Sequence, residues 1–181
     1  MKYYTGLGDT GCTGTLGSAR IGKNSKLIAA IGDVDELNCM LGVAIAEMTD
    51  KHVSDMLIAV QSCLFIVGSE LAASVNKTAS KLKDKITERR VKDLEGAIEE
   101  LGSTLPKLDK FVLPGGSVGG AHLQLSRAIC RRAERSVVDA RSESKISDEL
   151  VRYMNRLSSF LFVAALHVNM KEGTEELNPV Y

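Results

Sequence analysis

Arg127-Ala-Ile-Cys-Arg-Arg-Ala-Glu-Arg135 places four arginines and one glutamate within nine residues without interrupting a helical apolar pattern. At roughly 100° per residue, Arg127, Arg131 and Glu134 lie within about 60° of one another around a helix. The apolar residues predicted on the opposite side are Leu125, Ile129 and Ala133. The stretch therefore predicts an amphipathic helix that carries a charged stripe.

Two interpretations of this charged stripe follow from its chemistry. An arginine presents a planar fork of donors that fits phosphate oxygens and does not lose its charge, so the stripe suits a polyphosphate clamp. Alternatively, the stripe is a solvent-exposed face with ion pairs along the helix, such as Arg131 with Glu134. The spacing alone does not distinguish these interpretations, and other parts of the sequence are needed to choose between them.

Length and charge bound the class of protein. The 181 residues suit one domain, which we divide into an N-terminal loop (1–25), a helical bundle (26–170) and a polar tail (171–181) that we expect to be loose. Lysines and arginines number 23, as do aspartates and glutamates, so the formal net charge is zero. This balance argues against a nucleic-acid partner and for a small ligand.

The cysteines, histidines and apolar runs indicate a compartment and exclude some metal sites. The four cysteines show no disulfide or metal spacing, which is typical of a reducing compartment. The three histidines are scattered, so we predict no histidine metal site. The N-terminus lacks an apolar targeting segment, and the apolar run from Phe160 to Leu166 is too short to span a bilayer. We therefore expect a cytoplasmic protein without a membrane partner.

Residues 1–25 are rich in Gly, Thr and Ser and form either an ordered loop or a disordered tail. The segment Gly6–Gly11 matches a dinucleotide-binding pattern, but that motif needs a preceding strand and a following helix. Glycines can still turn backbone N–H groups towards an anion, and Thr5, Thr10 and Thr13 add hydroxyl groups. The segment is thus either a phosphate-contacting loop or a mobile N-terminus.

Apolar periodicity predicts five helices and an all-α bundle. Their expected ranges are 26–48, 53–74, 87–102, 117–140 and 147–170, with Thr87 and Ser117 as N-caps. On the second helix, apolar residues recur at helical spacing, so it is predicted to be a core helix: Met56, Val60, Cys63, Val67 and Leu71. The first is apolar on two sides, which implies either a central position or a partner subunit, and Asp35 lies within its second apolar face. Asp33 and Glu36 are expected to point to solvent.

Two further residues have alternative interpretations. Phe111 lies on a loop rich in Pro and Gly, where it either plugs the core or contacts an apolar ligand. Asn155 lies in an apolar helix, where it either contacts a ligand or makes an interhelical hydrogen bond.

Five stretches taken together resemble one family, the PduO-type ATP:cob(I)alamin adenosyltransferases. They are Tyr4-Thr-Gly-Leu-Gly-Asp-Thr-Gly-Cys-Thr13, Gly32-Asp-Val-Asp-Glu-Leu-Asn38, Phe111-Val-Leu-Pro-Gly-Gly116, the arginine stretch 127–135, and Tyr153-Met-Asn-Arg-Leu-Ser158. The resemblance runs from about Tyr3 to Asn169 in family order. It implies a five-helix bundle that assembles as a homotrimer with active sites between subunits.

The resemblance also implies roles for particular residues. The ATP site would comprise Thr5, Gly6, Leu7, Gly8, Thr13, Gly14, Lys23, Arg131, Arg132, Glu134, Arg135 and Asn155. Phe111 would help remove the lower ligand of cobalt, and Asp35 and Arg127 would pair between neighbouring subunits. The sequence departs from the family pattern at Gly6 and Thr10, where basic residues are usual, and at Gln124, where histidine is usual.

The reaction implied is attack of reduced cobalt on the 5′-carbon of ATP, which forms adenosylcobalamin and releases triphosphate. ATP and cob(I)alamin are then substrates, Mg²⁺ is expected to accompany the phosphates, and the candidate protein partners are a reductase and a cobalamin-dependent acceptor enzyme. The alternative is a non-catalytic module that senses ATP and corrinoid or delivers the cofactor.

Overall fold

The computed structural model describes residues 2–16, 20–75 and 82–180. Within them the chain forms two short strands and five helices. The elements are β1 (Cys12–Gly14), β2 (Arg20–Gly22), α1 (Lys26–Ala46), α2 (Lys51–Ser74), α3 (Glu88–Gly102), α4 (Val118–Ala140) and α5 (Asp148–Lys171). The predicted all-α five-helix bundle is confirmed, and its helix limits were predicted to within about two residues. Residues 76–85, whose polar and basic composition predicts a flexible linker, lie mostly outside the described residues.

Side-chain caps fix the start of most helices. The side chains of Ser25, Asp50, Ser117 and Ser147 each accept a hydrogen bond from a backbone N–H group in the first turn that follows. Thr87 precedes α3 as predicted, but in the described chain its side chain makes no such bond. Thr87 is therefore the N-cap residue of α3, as predicted, but without a side-chain cap hydrogen bond.

Helix α4 lies at the centre of the bundle, where it packs against α1 on one side and α5 on the other. Its buried side chains include Leu123, Cys130, Ala133 and Val137. The prediction that Leu125 lines the apolar side is wrong, since its side chain is 51% exposed. Ser126 and Gln124, which are polar, are buried instead, so the sequence pattern misplaced the core face of this helix.

Helix α2 is buried on one face only. Val53, Leu57, Val60, Leu64, Val67 and Leu71 belong to the core. On the opposite side Ile58 is exposed and Phe65 is 70% exposed, so the prediction of a core helix holds for one face only. By length and composition α2 is also the one candidate membrane span in the described chain. Its buried face nevertheless packs within the bundle, against α1 and α5.

The N-terminal segment is an ordered hairpin in its described part. Strands β1 and β2 pair antiparallel, with Thr13 opposite Ile21. The Arg20 guanidinium donates to the carbonyl oxygen of Leu7 and, over 3.3 Å, to that of Cys12. Arg20 therefore ties the Gly/Thr-rich turn to the hairpin.

The C-terminal tail is tied to the loop that precedes α4. The backbone N–H of Leu113 donates to the carbonyl oxygen of Leu177 over 2.7 Å. The Asn178 amide donates to the carbonyl oxygen of Phe111 over 2.8 Å. The expectation of a loose tail is thus wrong for this part of it.

Candidate functional site

An open groove of about 530 Å³ runs between the 108–112 loop, α4 and α5. It is lined by apolar, aromatic and basic side chains, among them Leu108, Phe111, Gln124, Arg127, Arg131 and Phe162. The Phe111 side chain is 80% exposed at this groove. Phe111 is therefore not a plug of the core, which leaves the ligand-contact interpretation.

Arg127 is oriented by its neighbours within the groove. Its Nε donates to Gln124 Oε1 over 2.9 Å, and its guanidinium lies 5.9 Å from the centre of the Phe162 ring. Because arginine only donates, the oxygen of the Gln124 amide must face it. The Gln124 nitrogen is then buried, and no hydrogen-bond partner for it lies among the described residues. The groove thus contains a donor in need of an acceptor.

Arg131 and Arg135 present their guanidinium groups to solvent. In the described part of the chain, neither forms a salt bridge, and the alternative of an Arg131–Glu134 ion pair is not observed. Glu134 Oε1 instead accepts a hydrogen bond from Asn155 Nδ2 over 2.9 Å. The interhelical bond proposed for Asn155 is therefore present, and it places this amide beside the arginine stripe.

Arg132 faces α1 rather than the groove. Its guanidinium pairs with Glu36, and its Nε lies 3.8 Å from an oxygen of Asp33. The Ser136 hydroxyl also donates to Asp33. Glu36 is exposed, as expected, whereas Asp33 is only partly exposed, and both residues link α1 to α4.

Lys23 reaches back over the Gly-rich turn. A Cβ atom built on Gly8 would lie 3.1 Å from the Lys23 Nζ atom, so a larger residue at Gly8 would displace the ammonium group. The Lys23 backbone N–H donates to the Gly11 carbonyl oxygen over 2.8 Å, and Gly11 has a φ of 76°, which favours glycine. The chain therefore brings Lys23 to the predicted Thr5–Gly8 segment.

Thr13 and Gly14 lie elsewhere, in a depression of about 490 Å³ between the hairpin, α1 and α2. Asp35 lies on the same depression, together with Ile31 and the exposed ring of Phe65. The Asn38 side-chain oxygen is buried there, and within the described residues it has no hydrogen-bond partner. Of the predicted nucleotide residues, Thr13 and Gly14 line this depression and Arg131 lines the groove, so these residues lie on separate depressions of one chain.

Acid–base and metal chemistry find little support in the described residues. Within ranges 2–16, 20–75 and 82–180, no group of three or more His, Cys, Asp or Glu side chains is placed to hold a metal ion. Burial raises the pKa of the Cys130 thiol to about 12, so this residue of the arginine helix remains protonated at neutral pH. The side chains that line the groove itself are apolar, aromatic, amide, hydroxyl or basic.

Two residues that shape the site, Arg20 and Asn169, were not predicted from the sequence. Arg20 holds the Leu7 carbonyl, and its only sequence signal is a basic residue in a segment otherwise rich in Gly and Thr. Asn169 is fully buried near the end of α5, and its side chain contacts the loop before α4. The signal for Asn169 is the cluster of glycines at 115–120, which leaves room for a side chain from elsewhere in the chain.

Comparison with known proteins identifies the family of this chain. Residues 3–168 match the family described as cobalamin adenosyltransferase. The corrinoid adenosyltransferase of Bacillus subtilis is 39% identical over 178 residues, which cover 96% of this chain and 89% of that protein. The human corrinoid adenosyltransferase is 36% identical over 180 residues, which cover 97% of this chain and 72% of that protein.

Solved structures show the same fold. A phenylalanine-to-alanine variant of the PduO-type ATP:corrinoid adenosyltransferase from Lactobacillus reuteri, complexed with cobalamin and ATP, superposes with a TM-score of 0.91 at 33% identity. An arginine-to-lysine variant of that enzyme, complexed with ATP, gives a TM-score of 0.90 at 32% identity. Each comparison covers 98% of this chain and 99% of the other. The chain therefore belongs to the cobalamin adenosyltransferase family.

Proposed function

We propose that this protein transfers the 5′-deoxyadenosyl group of ATP to the cobalt of cob(I)alamin, forming adenosylcobalamin and releasing triphosphate. The observation that carries this proposal is the groove in which an exposed aromatic ring, Phe111, lies with the guanidinium groups of Arg127 and Arg131. An apolar surface for a flat macrocycle and a cationic surface for phosphates meet there. Relatives whose structures contain cobalamin and ATP have the same fold.

The reaction needs orientation and charge stabilisation more than acid–base groups. The electron pair of reduced cobalt forms the new Co–C bond, while the C5′–O bond breaks and its electron pair leaves on the triphosphate oxygen. The nucleophile belongs to the corrinoid substrate, so the protein contributes position. Aligning two bound reactants can supply about 7–11 kcal/mol of the barrier.

We assign the phosphate contacts to Arg131 and Arg135, because their guanidinium groups are exposed and form no ion pair among the described residues. A cation aimed at the departing phosphates stabilises the charge that develops as the C5′–O bond breaks. Glu134 and Asn155 are hydrogen-bonded to each other beside these arginines, and this bond restricts the orientation of both side chains. Arg132 reaches ATP only by giving up its contact with Glu36.

We assign the corrinoid contact to Phe111. An aromatic side chain that is exposed at the rim of a groove gains free energy when a flat apolar surface covers it. A ring on the lower face of the corrin would also exclude the lower cobalt ligand. Gln124 offers its unpaired amide nitrogen in the same groove and orients Arg127 with its oxygen.

The N-terminal hairpin completes the nucleotide site in this proposal. Thr5, Gly6, Leu7 and Gly8 form a turn over which Lys23 lies, while Thr13 and Gly14 belong to β1. Lys23 and Arg20 supply basic groups close to this turn, although Gly6 and Thr10 stand where the family usually has basic residues.

We further propose that the active form is a homotrimer whose sites lie between subunits. Thr13, Gly14 and Asp35 lie on one depression, and Arg127, Arg131 and Phe111 lie on another. A neighbouring copy that brings the two depressions together would unite the nucleotide residues in one site. It would also cover the exposed Phe65 ring and offer a donor to the buried Asn38 oxygen.

The remaining assignments follow from this chemistry. Mg²⁺ would enter as part of the ATP substrate, since phosphate oxygens supply its preferred ligands. The substrate is reduced cobalt, so a reductase is the expected upstream partner and a cobalamin-dependent enzyme the expected acceptor. We propose a single domain, a cytoplasmic location and no membrane partner. The argument against a membrane is that Asp55, Gln61 and Glu70 lie within α2, where burying polar side chains in lipid would cost free energy.

The test is an anaerobic absorbance assay of cob(I)alamin with and without ATP, joined to a measurement of triphosphate. We expect ATP-dependent formation of adenosylcobalamin with one triphosphate released for each cofactor made. Arg131→Ala serves as the impaired variant and Val180→Ala, 98% exposed on the tail, as the matched control. Binding of ATP and corrinoid by wild-type protein without triphosphate release would favour the sensor or delivery module instead.

A further inference from the structure

We infer that Asn169 and the C-terminal residues Glu176–Asn178 form a clamp that positions the Phe111 loop for the corrinoid step. The clamp is built from hydrogen bonds to the loop backbone, so it acts through Phe111 rather than on substrate directly. This inference rests on the proposed function, because it presumes that Phe111 contacts the corrinoid.

Asn169 is the centre of the clamp. Its Nδ2 donates to the Gly115 carbonyl oxygen over 3.0 Å and to Glu176 Oε1 over 2.9 Å. Its Oδ1 accepts from the backbone N–H and the hydroxyl of Ser117, each over 3.0 Å. Carbonyl and carboxylate oxygens only accept, so the orientation of this amide is determined by its partners. All four hydrogen-bonding positions of one fully buried side chain are therefore used.

The glycines of the loop make room for this amide. A Cβ atom on Gly116 would lie 2.2 Å from Asn169 Nδ2, and a Cβ on Gly120 would lie 1.9 Å from Asn169 Oδ1. Gly116 also has a φ of 108°, which side chains rarely adopt. The Pro/Gly-rich segment is thus shaped around a residue of α5 that follows it by about fifty positions in the sequence.

The tail extends the clamp to the functional residue. The Thr174 backbone N–H donates to the Asn169 carbonyl oxygen over 2.8 Å, which turns the chain back after α5. Leu177 then accepts from Leu113, and Asn178 donates to the carbonyl oxygen of Phe111 itself. The backbone at the two ends of the Phe111–Leu113 segment is therefore held by Leu177 and Asn178, while the Phe111 ring remains exposed.

The clamp should matter for the corrinoid more than for ATP. It contacts the loop at Phe111, Leu113 and Gly115, whereas Arg131, Arg135 and Asn155 lie further along α4 and α5. Loosening the tail would let the Phe111 ring leave its position without removing any group assigned to the phosphates. A misplaced catalytic contact lowers turnover even when the ligands still bind.

The main test is Asn178→Asp, which keeps the shape of an exposed side chain but removes the donor to Phe111. A truncation after Thr174 removes Glu176–Asn178, the C-terminal part of the clamp. Val180→Ala is the control on the same tail. The measurements are the kcat and KM for corrinoid, the Kd for ATP, the thermal midpoint, and the EPR spectrum of bound cob(II)alamin with ATP. The EPR spectrum reports whether a nitrogen ligand remains on cobalt.

We expect both clamp variants to lose about two- to tenfold in kcat for the corrinoid, the range for one or two lost hydrogen bonds. The Kd for ATP should stay within about twofold of the wild-type value. The EPR spectrum should show more nitrogen-bound cobalt, which a merely structural role of the tail would not produce.

Two results would overturn the inference while leaving the proposed function standing. One is kinetics and EPR spectra of Asn178→Asp and the truncation that match those of Val180→Ala, with Phe111→Ala impaired. The other is an ATP affinity that falls as much as corrinoid turnover. If Phe111→Ala also behaves as wild type, the proposed role of Phe111 is itself wrong and the inference is overturned with it.

Discussion

Arg132 on α4 forms an ion pair with Glu36 on α1, which turns its guanidinium away from the groove that Arg131 lines. Of these two adjacent arginines, Arg132 is thus paired, whereas Arg131 forms no salt bridge with any described residue. Arg132 helps to hold α1 against α4, and Asp33 and Ser136 contribute to the same junction. The first prediction follows from this difference.

Arg131→Ala should lose adenosyl transfer, and Arg132→Ala should lose much less. Removing a charge-assisted contact of about 1.5–3 kcal/mol lowers kcat/KM by roughly ten- to a hundredfold. An exposed ion pair such as Arg132–Glu36 contributes little to stability, so Arg132→Ala should appear as a small loss in urea unfolding. Steady-state kinetics and unfolding of both variants check this. Equal losses of activity would show that Arg132 leaves Glu36 to bind ATP.

Phe111→Ala should impair the corrinoid step while leaving the fold intact. The ring is 80% exposed, so its removal creates no cavity in the core, and the thermal midpoint should change little. For corrinoid, KM should rise and kcat should fall, while the Kd for ATP stays near that of wild type. Calorimetry with ATP and turnover with cob(I)alamin measure the two effects separately. A melting point lowered as far as for a core truncation would contradict the assignment.

The sequence predicted the bundle well because the five helices carry strong apolar periodicity and polar caps such as Ser117 and Ser147. It failed where a face is shared with another element. Ser126 and Gln124 are polar but buried, whereas Phe65 is apolar but exposed. Apolar periodicity alone predicts neither case. The family resemblance named Phe111, Arg127 and Arg131, and the structure brings these three residues to one groove. The Asn169 clamp was not predicted, because it joins segments far apart in the sequence and no local pattern reports a long-range contact.

Asp50 should make stability depend on pH in the acid range. Burial alone would raise the pKa of Asp50, but the backbone N–H groups of Val53 and His52 and the His167 ring together lower it below 3.8. The stabilisation is therefore present above pH 3.8 and is lost as the pH falls through the lower folded-state pKa. Asp50→Ala should cost about 1 kcal/mol in free energy of unfolding near neutral pH, the usual value of an N-cap.

Denaturant unfolding of wild type and Asp50→Ala at a series of pH values, at one protein concentration, measures this dependence. The difference between them should be full above about pH 5 and should shrink in stronger acid. Asp55→Ala is the control, since Asp55 lies on the same helix and forms only an exposed pair with Lys51. A difference between wild type and Asp50→Ala that does not change with pH would show that the carboxylate charge contributes nothing.

Asp35 and Arg127 should form an ion pair between subunits. Asp35 is exposed on the depression between α1 and α2, while Arg127 lines the groove between α4 and α5, where it bonds Gln124. The two side chains lie on different depressions of one chain, so any pair between them joins two copies. Once such a pair is buried, removing one partner leaves the other charge without compensation, at a cost of roughly 3–5 kcal/mol. Asp35→Asn and Arg127→Ala should each weaken the oligomer and the activity together.

Sedimentation and turnover of both single variants and of the double variant test this pair through a double-mutant cycle, in which contacting residues couple by about 0.5–3 kcal/mol. Glu36→Gln is the matched control, because Glu36 neighbours Asp35 on α1 but pairs with Arg132 of its own chain. We expect it to leave the oligomer intact. The swap of Asp35→Arg with Arg127→Asp should restore part of the assembly, since it recreates opposite charges at the same positions. Additive losses from the single variants, with no recovery in the swap, would mean that Asp35 and Arg127 do not meet.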